Sequence, residues 1–347
     1  VSIPTSEQTQ TRIVLNNVLR VGYDVHLCPF PGSLCAVLEY LGQPQPYDYI
    51  MGVTGAPFRR LWNRDDGGNI DLSYLGDKPF QSAFDALGYE WKKVPAEKDA
   101  MLAAIHESLA RGVPPISFGI IGPPEAGVVT GYDPQTGAVM GWSYFQGDYG
   151  HDRNSYYEKR DWFETMDKNA GKGLIVIGAH TGNIPAPQQV LKSALEWAID
   201  LACTPRREGI PGHVSGLAAY EGWAADLEVD ADYPADNTQI MQNRSMVHGD
   251  ACVMLEERAV AASFLRRMKE FAPPAAAQHL EAAAKLYEEA RDVMWKLWTT
   301  QDYGMFGMAK PLGDPATRRE IAQYVRVAGE KEGQAVAHLQ QALAVLK

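Results

Sequence analysis

The chain is short of positive charge, of cysteine and of long apolar runs. Its 347 residues carry 32 Lys and Arg against 43 Asp and Glu, a formal net charge of −11. No run of Lys or Arg occurs. A nucleic-acid partner and an anionic membrane surface are therefore not expected, since both need clustered positive charge. No apolar stretch approaches the roughly 20 residues that span a bilayer. Residues Val1 to Glu7 have neither a basic n-region nor an apolar h-region, so no secretory signal is expected there. The four cysteines, Cys28, Cys35, Cys203 and Cys252, stand far apart with no Cys-x-x-Cys. That spacing is neither a disulfide framework nor a zinc motif. The expectation is a reduced, cytoplasmic protein with no metal and no cofactor. Cys35, Cys203 and Cys252 lie in apolar helical sequence and read as buried small hydrophobes.

What is present is 46% hydrophobic residues, enough for more than one core. The first half alternates helix and strand signals. Helices are expected after Cys28 to Leu41, over Pro79 to Leu87 and over Lys98 to Leu109; strands over Tyr89 to Val94, Ile116 to Ile121 and Leu174 to Ile177. The clearest hairpin joins Val128–Tyr132 to Ala138–Trp142 through Asp133-Pro134-Gln135-Thr136-Gly137. After Ile184-Pro185-Ala186-Pro187 the pattern is helical: Gln188 to Cys203, His213 to Leu227, Asp250 to Phe271, Ala275 to Thr300 and Ala316 to Lys347. The expected fold class is α+β, with a mixed domain over 1–183 and an all-α bundle over 184–347.

Cys28 is the first chemical candidate. It precedes Pro29, Pro31 and Gly32 and then an apolar helical stretch, which places a thiol at a helix N-terminus. Unpaired N–H groups and the positive dipole end favour thiolate there. The order of that cysteine-led helix, the Gly-Val-Pro-Pro-Ile of residues 112–116 and the Val-Val-Thr-Gly-Tyr-Asp of residues 128–133 resembles the papain-like C39 (bacteriocin-processing) cysteine peptidases. The helical second half makes the butirosin-biosynthesis H-like group the nearer likeness. The resemblance implies a papain-like domain, a cysteine nucleophile at Cys28 and acyl-transfer or peptidase chemistry. It also implies a histidine opening the strand into Val-Val-x-Gly-Tyr. Counting back, that position is Glu125, or Ala126 if the register slips by one. The acid expected near Gly141-Trp142-Ser143 is missing as well.

Glutamate beside cysteine raises the thiol pKa, whereas acyl transfer needs thiolate and a proton donor. Of the eight histidines, His26 and His180 are the candidates to replace the base. A protonated Glu125 acting as donor is a third route. Arg59 and Trp62, in the Gly-containing stretch from Met51 to Asn63, and Tyr132 and Trp142 of the aromatic series, are candidate cleft-binding residues. The acidic run from Asp226 to Asn237 reads as a solvated loop or a weak cation site.

The expected function is a catalytically degenerate papain-like protein that binds a small molecule or peptide in the former active-site cleft. The alternative is a cysteine-dependent acyltransferase or amidohydrolase with Cys28 as nucleophile. A purely structural role would use the helical half as a partner surface. The apolar series from Asp250 to Thr300 reads as core or as a homo-oligomer seam.

Overall fold

Asp133 to Gly137 sets the geometry of the first half. The Asp133 carboxylate accepts the Gln135 amide at 2.9 Å, and the Gly137 amide donates to the Asp133 carbonyl at 2.8 Å. Gly137 has φ +72°, which closes the turn and pairs the two flanking strands. The computed structural model describes residues 11–68, 72–167, 173–253, 257–300 and 312–346.

In chain order the elements begin with β1 (Ile13–Val14), α1 (Pro29–Tyr40), α2 (Tyr47–Thr54), β2 (Leu61–Trp62) and α3 (Lys78–Leu87). Then come β3 (Tyr89–Val94), α4 (Lys98–Ala110), β4 (Ile116–Phe118), β5 (Ala126–Asp133), β6 (Ala138–Trp142), β7 (Tyr157–Lys159) and β8 (Leu174–His180). The remainder is α5 (Pro187–Cys203), β9 (Val214–Ser215), α6 (Leu217–Leu227), α7 (Thr238–Val253), α8 (Glu257–Met268), α9 (Pro274–Thr300) and α10 (Pro315–Val345). The chain divides into two compact units, one holding the residues up to Tyr47 and Gly88–Asn183, the other Asp48–Leu87 and the residues from Ile184 on. Residues 48–87, which the sequence groups with the first domain, cluster with the second.

The first unit carries an antiparallel sheet in the order β3-β8-β4-β5-β6-β7, with β1 paired to β5. Helix α4 presents Met101, Ile105 and Leu109 at four-residue spacing, and they pack with Val129, Val139, Leu174 and Val176. The alternate residues Ile116, Val128, Ile175 and Ile177 are equally buried, so the opposite sheet face is covered too, and α1 lies against β4 and β5.

The second unit is helical, its largest packed pair being α9 and α10. Of the expected helix 250–271 the described residues form α7 up to Val253 and α8 from Glu257, and α7 begins twelve residues earlier than expected. Cys252 is buried as expected, but Cys35 is half-buried and Cys203 exposed. The core of this unit holds charge. Arg258 meets Glu332 through Nε (2.7 Å) and Nη2 (3.0 Å) and donates to the carbonyls of Pro57 and Arg59. Arg60 lies over Trp223 at 4.6 Å and over Tyr220 at 5.2 Å.

Beside it, buried His248 accepts the Trp223 indole N–H at Nδ1 (2.7 Å), and Nε2 faces the Tyr233 hydroxyl at 2.7 Å. Indole can only donate, so Nδ1 carries a lone pair and Nε2 the proton. Burial, with a smaller push from Arg244, holds this imidazole neutral with its pKa down to about 3. The unfolded chain therefore takes up a proton, at about pH 6.5, that the folded chain refuses. The contribution is complete above pH 6.5 and drains away as pH falls toward 3. Thermal unfolding between pH 7 and 4 should show a falling midpoint, and His248→Gln should flatten that slope.

Candidate functional site

Cys28 stands at the N-cap of α1 in extended conformation (φ −103°, ψ 115°), as the proline immediately after it favours. Its carbonyl accepts the Gly32 amide at 3.0 Å, and its own amide donates to the Tyr47 hydroxyl at 2.9 Å. Positions 29 and 31 are proline, so two of the four amides that a helix start ordinarily presents do not exist. The thiol therefore gains less from the helix terminus than its position promises. Cys28 is also only 2% exposed.

The approach to Cys28 is held by side chains of the sheet. Trp142 donates its indole N–H to the Val18 carbonyl at 2.9 Å, and the Tyr156 hydroxyl takes the Val18 amide and donates to the Leu15 carbonyl, each at 3.0 Å. Gly22 then accepts the amides of Val25 and His26, a turn that projects Tyr23. The Tyr23 hydroxyl donates to Glu125 Oε2 at 2.6 Å. Its ring meets Tyr144 edge-on at 5.0 Å and Phe145 at 5.6 Å, and the Tyr144 hydroxyl reaches the Cys28 carbonyl at 3.5 Å.

Glu125 and Cys28 thus belong to one cluster. The register settles which residue opens the strand: Ala126 is buried and paired with Phe118, and half-buried Glu125 precedes it on the loop. Both phenols are pushed well above their ordinary pKa. Burial is the main cause, and for Tyr23 the charge of Glu125 comes next, with Tyr144 and Cys28 adding. For Tyr144 the additions come from Cys28, Cys35 and Glu125. Every neighbour acting on these two hydroxyls is itself an acid.

The remaining candidates are placed elsewhere. His180 ends β8, edge-on to Tyr89 at 4.7 Å. Leu174, not His180, pairs with Ser117 beside the Glu125 end of β4. At about 3.3 Å per residue, His180 lies about 20 Å farther along the strand, too far to serve as base. His26 stacks on Tyr47 at 4.1 Å beside the first turn of α1, and burial lowers its pKa. Tyr132 packs into the core with α4, because a bulge between Val129 and Gly131 shifts the alternation. Trp142 is the buried clamp on Val18 rather than a cleft wall.

Arg59 and Trp62 belong to the second unit and are buried in it. Arg59 pairs with Glu257 at 3.0 Å, and Trp62 stacks on Trp223 at 5.5 Å and donates to Asp226 at 2.6 Å. The acidic run is engaged by arginines and that indole: Asp230 with Arg318, Asp232 with Arg64, Glu228 with Arg326. Among the described residues no group of three or more His, Cys, Asp or Glu is arranged to hold a metal.

The loop before Glu125 also bounds an open cavity of about 390 Å³, lined by Ile121, Gly122, Pro123, Tyr149, His151 and Lys159 among others. Gly122, at φ +79°, packs closely at its rim: a Cβ there would sit 2.7 Å from Phe145 and 3.1 Å from Tyr149, and none of Cys28, Tyr23, Glu125 and Tyr144 lines the cavity. Sequence names Tyr144 within the aromatic series but points neither to Tyr23 nor to this cavity. The Phe145-to-Tyr149 spacing within the aromatic series was the available signal. Compared with protein-family models and with curated proteins, the chain matches none.

Gly32 tests the packing of this site. A Cβ there would meet the Tyr144 hydroxyl at 2.1 Å and His26 Cβ at 3.0 Å. Gly32→Ala should cost about 1–3 kcal/mol despite the better helix propensity of alanine. Tyr144→Phe in the same chain should recover part of the loss, and denaturant unfolding of the double-mutant cycle measures it.

Proposed function

We propose that the first unit is a catalytically degenerate papain-like domain that binds a small molecule or peptide beside its former nucleophile. The observation that carries this reading is the Tyr23–Glu125 hydrogen bond of 2.6 Å: Ala126 opens the strand where the resemblance calls for an imidazole, and the residue just before it is a carboxylate engaged by a phenol. The Glu125 carboxylate, joined to Cys28 through Tyr23 and Tyr144, adds negative charge to the cluster and so raises the cost of ionising the thiol. A helix terminus contributes about 0.3–1 kcal/mol where exposed and up to about 2 kcal/mol where partly buried, and here two of its amides are missing. The cavity of about 390 Å³ is in the size range of small-molecule sites, about 300–1,000 Å³. Its apolar wall of Ile121, Pro123 and Tyr149 faces polar His151 and Lys159, a mixture that suits a ligand with an apolar body and a polar end.

The second reading is a cysteine-dependent acyltransferase or amidohydrolase with His26 as base. It is favoured by one observation: His26 packs beside the first turn of α1, and burial keeps its imidazole neutral.

Alkylation by iodoacetamide across pH, followed on the Cys28 peptide by mass spectrometry, separates the two. The midpoint of the profile decides, because poor access slows every point without moving it. The binding-domain reading expects a midpoint at or above the free-thiol value of about 8.5. Glu125→His should lower it by one unit or more, since an imidazolium replaces a carboxylate. A midpoint near 6 in the native chain, abolished by His26→Ala, would establish the enzyme reading instead.

A further inference from the structure

Two histidines outside the first unit meet across a helix pair. His279 on α9 and His338 on α10 are half-buried, with their Nδ1 atoms 3.1 Å apart and ring centroids 5.4 Å apart. In the metal-free chain one Nδ1–H donates to the lone pair of the other. The same separation suits a shared cation. Two imidazole nitrogens at about 2.0–2.1 Å from one ion, subtending about 90–110°, lie about 2.9–3.4 Å from each other.

We propose that His279 and His338 form a two-histidine chelate site for a late first-row divalent transition metal. The metal replaces the shared proton: both Nδ1 lone pairs turn to the ion, and the displaced hydrogen is carried at Nε2. Neighbours one turn away are Ala275, Ala276, Ala282 and Ala283 on α9 and Gln334, Ala335, Gln341 and Ala342 on α10. None of these is charged, so none supplies a competing ammonium or a further carboxylate ligand. Two protein nitrogens leave the other coordination positions to water. Such a site has the soft-to-borderline donors that nickel, cobalt and copper prefer and nothing that would select magnesium or calcium. Its physical effect is a cross-link between the two longest helices of the second unit.

Ni²⁺ is the probe of choice, because Cu²⁺ would oxidise the exposed thiol of Cys203. The untagged full-length chain with Cys203→Ser is melted at pH 8 with and without Ni²⁺. A rise of about 5 °C is expected at a hundredfold excess over Kd, with a smaller rise for Co²⁺ and none for Mg²⁺. His279→Gln and His338→Gln should each abolish the nickel rise. Isothermal titration with Ni²⁺ at 20 °C gives the same comparison for a variant that melts too low, with loss of the one-to-one site expected. No nickel response in the parent, or a response kept by both single variants, overturns the proposal.

Discussion

The pairing of Ile116, Ser117 and Phe118 with Val128, Gly127 and Ala126 fixes the register of the central strand β5. Both faces of this strand are buried, so a slip by one residue would exchange Val128 and Val129 between two packed layers. The register is therefore held by the whole core of the first unit, and Glu125 has no freedom about where it stands. It is the last residue before the strand, on a loop whose turns at Gly119 and Gly122 need positive φ. The same strand packs against α1, which carries Cys28 at its tip. A carboxylate and a thiol are thus brought into one cluster by sheet geometry rather than by any attraction between them.

Their juxtaposition has a definite electrostatic sign. Glu125 takes a hydrogen bond from Tyr23. The cost falls on the neighbours, whose negative forms are disfavoured by burial and by the charge of Glu125. In a nucleophile site the neighbours work the other way, drawing the proton off sulfur. Proline at positions 29 and 31 removes two of the helix-end amides that would have opposed the effect. Sequence alone contained this last point, since proline has no N–H wherever it falls.

Much of the first unit was legible in sequence because its signals are local. The Asp133–Gly137 turn, the four-residue spacing of α4 and the apolar run of β8 each need only a short window. The failures are non-local. Arg59 and Trp62 lie between α1 and β3 of the first unit in sequence, yet they belong to the second unit, where Glu257 and Trp223 take them up. Tyr132 lies two residues beyond a bulge that shifts the strand's alternation, and no short window of sequence shows where such a bulge falls. Helix α7 has no apolar face that repeats along its whole length, so its first three turns left no periodic trace.

The acidic run from Asp226 to Asn237 looked like a solvated loop because its partners are far off in sequence. They are Trp62, Arg64, Arg318 and Arg326, contributed by two separate stretches of the chain. The same holds for Arg258 and Glu332, which carry opposite charges in a core that hydrocarbon could fill. Removing either alone would strand the other, a loss of about 3–5 kcal/mol, while replacing both with matched apolar residues is often neutral or better. Their retention is therefore poorly explained by stability. The bidentate geometry, with two further carbonyls on Arg258, admits only one alignment of α8, α10 and the Pro57–Arg59 segment. An apolar replacement would tolerate small rotations of α10 that this hydrogen-bonded set does not. His338 lies on α10 six residues beyond Glu332, so the ion pair that fixes the helix also fixes which side chain it presents to His279.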